Sequence, residues 1–296
     1  MRLSLRHAGL LPLLGLLLLL QPAFAQNPDA LNSDPGAGKA KKLLDKAVES
    51  MGGFAFLNSE ESDCEGRVAQ LDRNSSLMGY TFIRSYWHFP DKNRTEYVAK
   101  STKAGFLGIL IGELPMMVKG GAFIQLFSGD KGWTMDKSGV SEADVTLVSE
   151  FQAAAKRQIH NLLLSRPEDD GTYVGYGGTG IADLKQVDWV EFNEREGRTI
   201  RLALDRETHL PMRTVVSTPN EEMHDRDEDV TIYSNYKELE GVQTPLQVTR
   251  EHNGRRTHQI FYNACSNNPN LPSDFFTEAS LQKRFKDTGG KAPPPK

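Results

Sequence analysis

The sequence predicts a mainly β protein with helices, in which one antiparallel sheet has helices covering one of its faces. Three observations carry this. Short runs of apolar–polar alternation recur along the chain, turn residues separate them, and only two segments show helical periodicity. Strands that follow one another through turns, instead of alternating with helices, pair antiparallel.

The alternation is clearest over 199–204, where the large apolar residues share one face. Residues 205–208 form a turn and 210–216 a returning strand. Segments 84–89, 93–99, 122–127, 187–192, 230–236, 243–251 and 257–263 follow the same grammar. Asn253-Gly254 marks a hairpin, because both residue types tolerate positive φ.

Two segments predict helices. Residues 40–51 place Leu43, Leu44 and Val48 on one face, and Gly52-Gly53 stops the helix. In 141–164, Ser141 with Asp144 three residues on resembles a capping box. Val148, Phe151, Ala155, Ile159 and Leu162 then recur at 3-4-4-3 spacing, and Pro167 ends the helix.

The ends predict export. Arg2 and Arg6 precede an apolar run over 10–20, and Ala23-Phe24-Ala25 is a small-x-small cleavage site. This pattern is a secretory signal peptide over 1–25, cut after Ala25. Its apolar run is shorter than the roughly twenty residues that span a bilayer, so an integral membrane protein is not expected. No cysteine at the cleavage site offers a lipid anchor. A flexible leader is expected over 26–39, a folded domain over 40–285, and an extended tail over 286–296 with its three consecutive prolines. The formal net charge is -4, and losing Arg2 and Arg6 makes the chain more acidic. That excludes a nucleic-acid partner and simple adsorption to anionic lipid.

The two cysteines, Cys64 and Cys265, are far apart in sequence. An oxidising compartment permits their disulfide, but sequence alone does not show that the Cβ atoms meet. Two thiols are too few for a zinc site. Gly175-Tyr176-Gly177-Gly178-Thr179-Gly180 matches G-x-G-x-x-G, yet a strand-like stretch follows where a dinucleotide site needs a helix. It reads as a glycine-rich turn between strands. Ser128-Gly129-Asp130-Lys131 and Lys137-Ser138-Gly139 mimic penicillin-recognising motifs, but lie too close together, around Trp133 in a hairpin. The acidic run 221–229 has Asp225, Asp227 and Asp229 at alternate positions. Val230 and Tyr236 stand where a calcium loop needs Gly and Glu, so it reads as a solvated loop. No nucleophile–base pair stands out. Neither catalytic residues nor a metal nor a cofactor is expected.

Residues 105–127 are the most apolar stretch, with only Glu113 and Lys119 charged. One reading is a pair of core strands turning at Lys119-Gly120-Gly121. The other is a flap over an apolar cavity, with Gly105, Gly108 and Gly112 as its joints.

Several short motifs resemble the periplasmic lipoprotein carriers of the LolA/LolB type and the wider outer-membrane lipoprotein-sorting group. They are Tyr86-Trp87-His88-Phe89-Pro90-Asp91-Lys92-Asn93-Arg94; Phe127-Ser128-Gly129-Asp130-Lys131-Gly132-Trp133; Tyr173-Val174-Gly175 through Trp189-Val190-Glu191-Phe192; Leu204-Asp205 to Leu210-Pro211; and Tyr233-Ser234-Asn235-Tyr236 with Gly241-Val242 and Pro245. Asn263 and residues 271–276 close the similarity, which runs from about Ala40 to Leu281. Directly before Pro90, where the best-known carriers have a basic residue, this chain has Phe89.

The resemblance implies an incomplete antiparallel β-barrel, a curved sheet, covered by a helical lid over an apolar cavity. It implies a non-enzymatic protein that carries lipoproteins or other acyl-chain lipids between an inner-membrane donor and an outer-membrane acceptor. Expected cavity residues are Tyr86, Trp87, Phe89, Phe106, Leu107, Ile109, Leu110, Leu114, Met116, Met117, Phe123, Leu126, Trp133 and Trp189. The expected lid carries Val148, Phe151, Ala155, Ile159 and Leu162. The competing reading is an envelope structural or protein-interaction module with a filled interior. An envelope hydrolase would need a base and nucleophile converging in a cleft.

Overall fold

The computed structural model describes residues 35–72, 74–98, 122–164, 171–194, 197–220 and 222–289. Helix α1 (Pro35–Ser50) and the single turn α2 (Phe54–Leu57) precede strands β1 (Glu61–Leu71), β2 (Leu77–His88) and β3 (Lys92–Val98). Strands β4 (Ala122–Ser128), β5 (Lys131–Asp136) and β6 (Gly139–Glu142) continue the meander. Helices α3 (Val145–Ala155) and α4 (Ile159–Leu164) follow. The second meander comprises β7 (Tyr173–Ala182), β8 (Lys185–Asn193), β9 (Thr199–Asp205), β10 (Pro211–Asn220), β11 (Asp225–Leu239), β12 (Val242–His252) and β13 (Arg255–Asn267). Helix α5 (Glu278–Thr288) comes last.

All thirteen strands belong to one open, curved antiparallel sheet in the order β6-β5-β4-β3-β2-β1-β13-β12-β11-β10-β9-β8-β7. Within each meander, strands consecutive in the chain pair with one another. Among the described strands, only β1 and β13 pair without being consecutive, and their pairing joins the two halves. Cys64 stands directly opposite Cys265 there, and the two form a disulfide. Beside it a bulge falls between Glu65 and Gly66. A Cβ on Gly66 would lie 2.1 Å from the Phe261 carbonyl oxygen, so the two backbones approach this closely only with glycine.

The expected helices are present with different bounds. Helix α1 starts at Pro35, inside the stretch read as a leader, because proline is well suited to a first helical turn that needs no donor. The expected helix over 141–164 is broken in two. Ser141 belongs to β6, where its hydroxyl lies 3.0 Å from Thr134 Oγ1, so it is not a helix cap. Asp144 is the cap, its carboxylate accepting from the Thr146 N–H. The apolar spacing runs on through the break at 156–158, which hid it. Helix α5 was not expected and extends past residue 285. Thr277 caps its start and the left-handed Gly289 its end.

Two loop readings are corrected. Gly175 through Gly180 lie within strand β7, not in a turn. Their lack of side chains makes room for β8: a Cβ on Gly180 would sit 2.8 Å from Trp189 Nε1, and one on Gly177 2.7 Å from Glu191. Asp225 through Asp229 belong to strand β11, leaving only a short turn before them.

The register carries one face across the whole sheet. Phe127, Asn93 and Trp87 are successive neighbours on it, as are Phe123, Tyr97, Ile83, Gly66 and Tyr262. Ile260, Val248 and Tyr233 continue it, and Thr214, Leu202 and Val190 complete it. Helices α1 and α4 pack on this inner face over the second meander, placing Leu43, Leu44, Ala47 and Leu162 against Val190, Phe192, Leu202 and Val216. Helix α3 packs on the same face, with Phe151 and Ala155 against Phe127. Helix α5 lies on the opposite face, with Leu281 against Ile124, Leu126 and Met135.

Candidate functional site: the inner face of the sheet

Between the helix-covered regions, the inner face presents Val68, Ile83, Tyr97, Phe123, Ile260 and Tyr262. Val68 and Ile83 are buried, while the other four keep accessible surface. The Tyr262 phenol has its pKa raised by loss of water, although its ring is partly open. The same holds for Tyr236, whose hydroxyl donates to the Pro211 carbonyl at 2.7 Å.

One end of this face is closed by a chain of rings. Phe56 of α2 meets His160 of α4 at 5.4 Å, and His160 stacks on Phe89 at 4.0 Å. Phe89 stacks on Trp87 at 5.7 Å, Trp87 on Phe151 at 5.9 Å, and Phe151 on Phe127 at 4.4 Å. The series ties α2, α3 and α4 to β2 and β4 through face contacts between large apolar surfaces. Burial lowers the His160 pKa, keeping the imidazole neutral. Asn161 adds a polar tie, donating to the carbonyls of Pro90 at 2.7 Å and Ala155 at 2.8 Å.

The other end is charged. Arg157, in the link between α3 and α4, lies 3.5 Å from Asp229 of β11. His252 Nδ1 lies 2.8 Å from the same carboxylate. Arg198 pairs with Glu194 at 3.2 Å. Arg250 and His258 are inner-face neighbours on β12 and β13.

Burial, reinforced by the Arg250 charge, pushes the His258 pKa down to about 3. An unfolded histidine titrates near 6.5, so the unfolded state takes up this proton first as pH falls. The stability due to neutral His258 is therefore complete above about pH 6.5 and declines until the pH reaches about 3. Urea titrations of wild type and His258→Phe at pH 7 and pH 5 check this. Wild type is expected to lose on the order of 2 kcal/mol more than the variant over that interval. Equal losses would mean that His258 takes up its proton without unfolding.

The expected site residues separate onto two faces. Trp87 and Phe123 share the inner face, and Phe89 joins the ring series. Tyr86, Leu126, Trp133 and Trp189 are corrected: they point to the outer face. Tyr86 meets Phe275 at 4.8 Å, Leu126 and Trp133 belong to the cluster under α5, and Trp189 packs with Val187 and Ala203. The lid residues also divide. Val148, Phe151 and Ala155 cover Phe127, while Ile159 and Leu162 join the core beneath α1. Phe106, Leu107, Ile109, Leu110, Leu114, Met116 and Met117 lie outside the described residues, as do the expected turn at 119–121 and Pro167. Sequence reasoning missed Ile83, Tyr97, Ile260, Tyr262 and Arg250. An alternating strand marks two faces but not which one is inward.

No family model and no curated protein matches the chain. Solved structures do match it by fold. A DUF1329 family protein from Desulfovibrio piger aligns with TM-score 0.54 at 14% identity, covering 82% of this chain and 99% of its own. An outer membrane lipoprotein-sorting protein domain from Vibrio parahaemolyticus aligns at 0.51 and 12%, with the same coverage of 82% and 99%. A LolA superfamily protein from Nitrosomonas europaea aligns at 0.50 and 11%, again over 82% and 99%.

Proposed function

We propose that this protein, which has the fold of LolA superfamily and lipoprotein-sorting structures, is a periplasmic carrier. It would hold the acyl chains of lipoproteins or other lipids on its inner face without making or breaking a bond. The observation that carries this reading is the row Tyr97, Phe123, Ile260 and Tyr262, apolar or aromatic, inward-facing and still accessible. Each buried methylene contributes about 0.8 kcal/mol, so a long acyl chain supplies an apolar driving force that can exceed the cost of association. The Cys64–Cys265 disulfide suits an oxidising compartment. Among the described residues, no helix is long and apolar enough to cross a membrane. An inner-membrane donor and an outer-membrane acceptor would complete the route.

The second reading is a protein-interaction module with a filled interior. It draws on the solid core under α1 and α4, where Leu162, Val190, Phe192 and Leu202 are fully buried. Native mass spectrometry of protein purified from the envelope, with organic extraction, separates the two. A stoichiometric lipid or acylated peptide, lost in Ile260→Trp, is the expected result. An empty protein that also refuses added phospholipids and lipopeptides would favour the filled-interior module.

A further inference from the structure

We propose that the inner-face ligand carries an anionic head group, a carboxylate or a phosphate, and that Arg250 receives it with Arg157 and Arg198 alongside. This rests on the acyl-binding reading and adds the polar half of the ligand.

The register places Arg250 on the inner face, between Thr231 of β11 and His258 of β13. Arg157 and Arg198 each have a carboxylate, Asp229 and Glu194. Among the described residues Arg250 has no ion pair. The Nε atoms of Arg157, Arg198 and Arg250 are all buried without a hydrogen-bond partner. A buried donor is better satisfied than left alone, so an acceptor from outside is favourable here. Burial lowers the Arg157 pKa, and the Arg198 and Arg250 charges lower it further, so both guanidinium groups lie within electrostatic range of Arg157. An anion relieves that repulsion and a neutral lipid does not.

The surroundings suit a head group of this kind. Tyr233 and Tyr262 lie within range of the Arg250 charge, and burial raises both phenol pKa values. Both therefore stay protonated at neutral pH and can donate to an oxygen. From this charged end the apolar wall runs toward the ring series. Strand β2 from Gly79, opposite Gln70 and so level with His258, to Trp87 spans about 26 Å at ~3.3 Å per residue, enough for a long acyl chain.

Displacement of the neutral dye Nile red tests the assignment with two lipid pairs. Hexadecanoate is compared with hexadecan-1-ol, and dipalmitoyl phosphatidate with dipalmitoylglycerol. Wild type is expected to bind at least one anionic lipid about tenfold or more tightly than its neutral partner. The discriminating pair identifies carboxylate or phosphate. In Arg250→Leu the preference for the anionic member of the pair should vanish, and Arg250→Lys should restore part of it. Equal binding within both pairs by wild type overturns the proposal, as does a preference retained in Arg250→Leu. If circular dichroism shows that Arg250→Leu does not fold, Arg157→Gln replaces it, and an unreduced preference there overturns the proposal. Failure of wild type to bind the dye and all four lipids would instead remove the acyl-binding reading itself.

Discussion

Replacing Cys64 with serine is expected to destabilise the protein by about 4–5 kcal/mol. The disulfide joins residues separated by 201 positions, so in the unfolded chain it closes a very long loop. Loop-closure entropy grows with the logarithm of that length, which puts this bond near the top of the usual range. Its position adds to the effect. The β1–β13 ladder is the one pairing that unites the two meanders, and Cys64–Cys265 is a rung of it. Urea unfolding of wild type, Cys64→Ser and the double serine variant measures the effect. The two variants should be equally destabilised, and reductant should bring wild type to the same midpoint. A loss below about 1 kcal/mol would show that the ladder alone holds the halves together, even in a chain free of the cross-link.

Glu96→Leu is expected to cost about 3–5 kcal/mol. On the outer face, Arg94 donates to Glu96 Oε1 from Nε at 3.0 Å and from Nη2 at 2.7 Å. Arg284 of α5 donates to the other oxygen at 3.1 Å. The Arg94 and Glu96 side chains are only 5% and 7% exposed, and the Arg94 guanidinium sits 4.5 Å from the centre of the Phe275 ring. Removing the carboxylate strands a guanidinium away from water, a larger penalty than the pair's own net contribution. The double variant Arg94→Met/Glu96→Leu should therefore recover most of the loss. Hydrogen exchange across 278–288 should rise in Glu96→Leu, because Glu96 also anchors α5. If the single and double variants are equally unstable, packing volume and not stranded charge is responsible.

Strands β2–β4, β8–β10, β12 and β13, the hairpin at Asn253-Gly254 and the apolar stripes of the inner-face helices were readable from neighbouring residues, whereas β1, β6, β7 and the start of β11 were not. Alternation, turn chemistry and helical spacing act over a few positions, so the chain displays them directly. The short motifs likewise pointed to a LolA-like curved sheet, which the structure has. Three features depended on distant partners. The cysteines meet because β1 and β13 are sheet neighbours, a fact of topology that neither strand encodes alone. Tyr86, Leu126, Trp133 and Trp189 face outward because register decides which side of a strand is inward, and a one-residue offset reverses it. Helix α5 then supplies an apolar cover on the outer face for Leu126 and Trp133. Arg250 was silent for the same reason. An arginine on an alternating strand reads as solvent-exposed until the partner strands turn that face inward, with no ion pair for its guanidinium among the described residues.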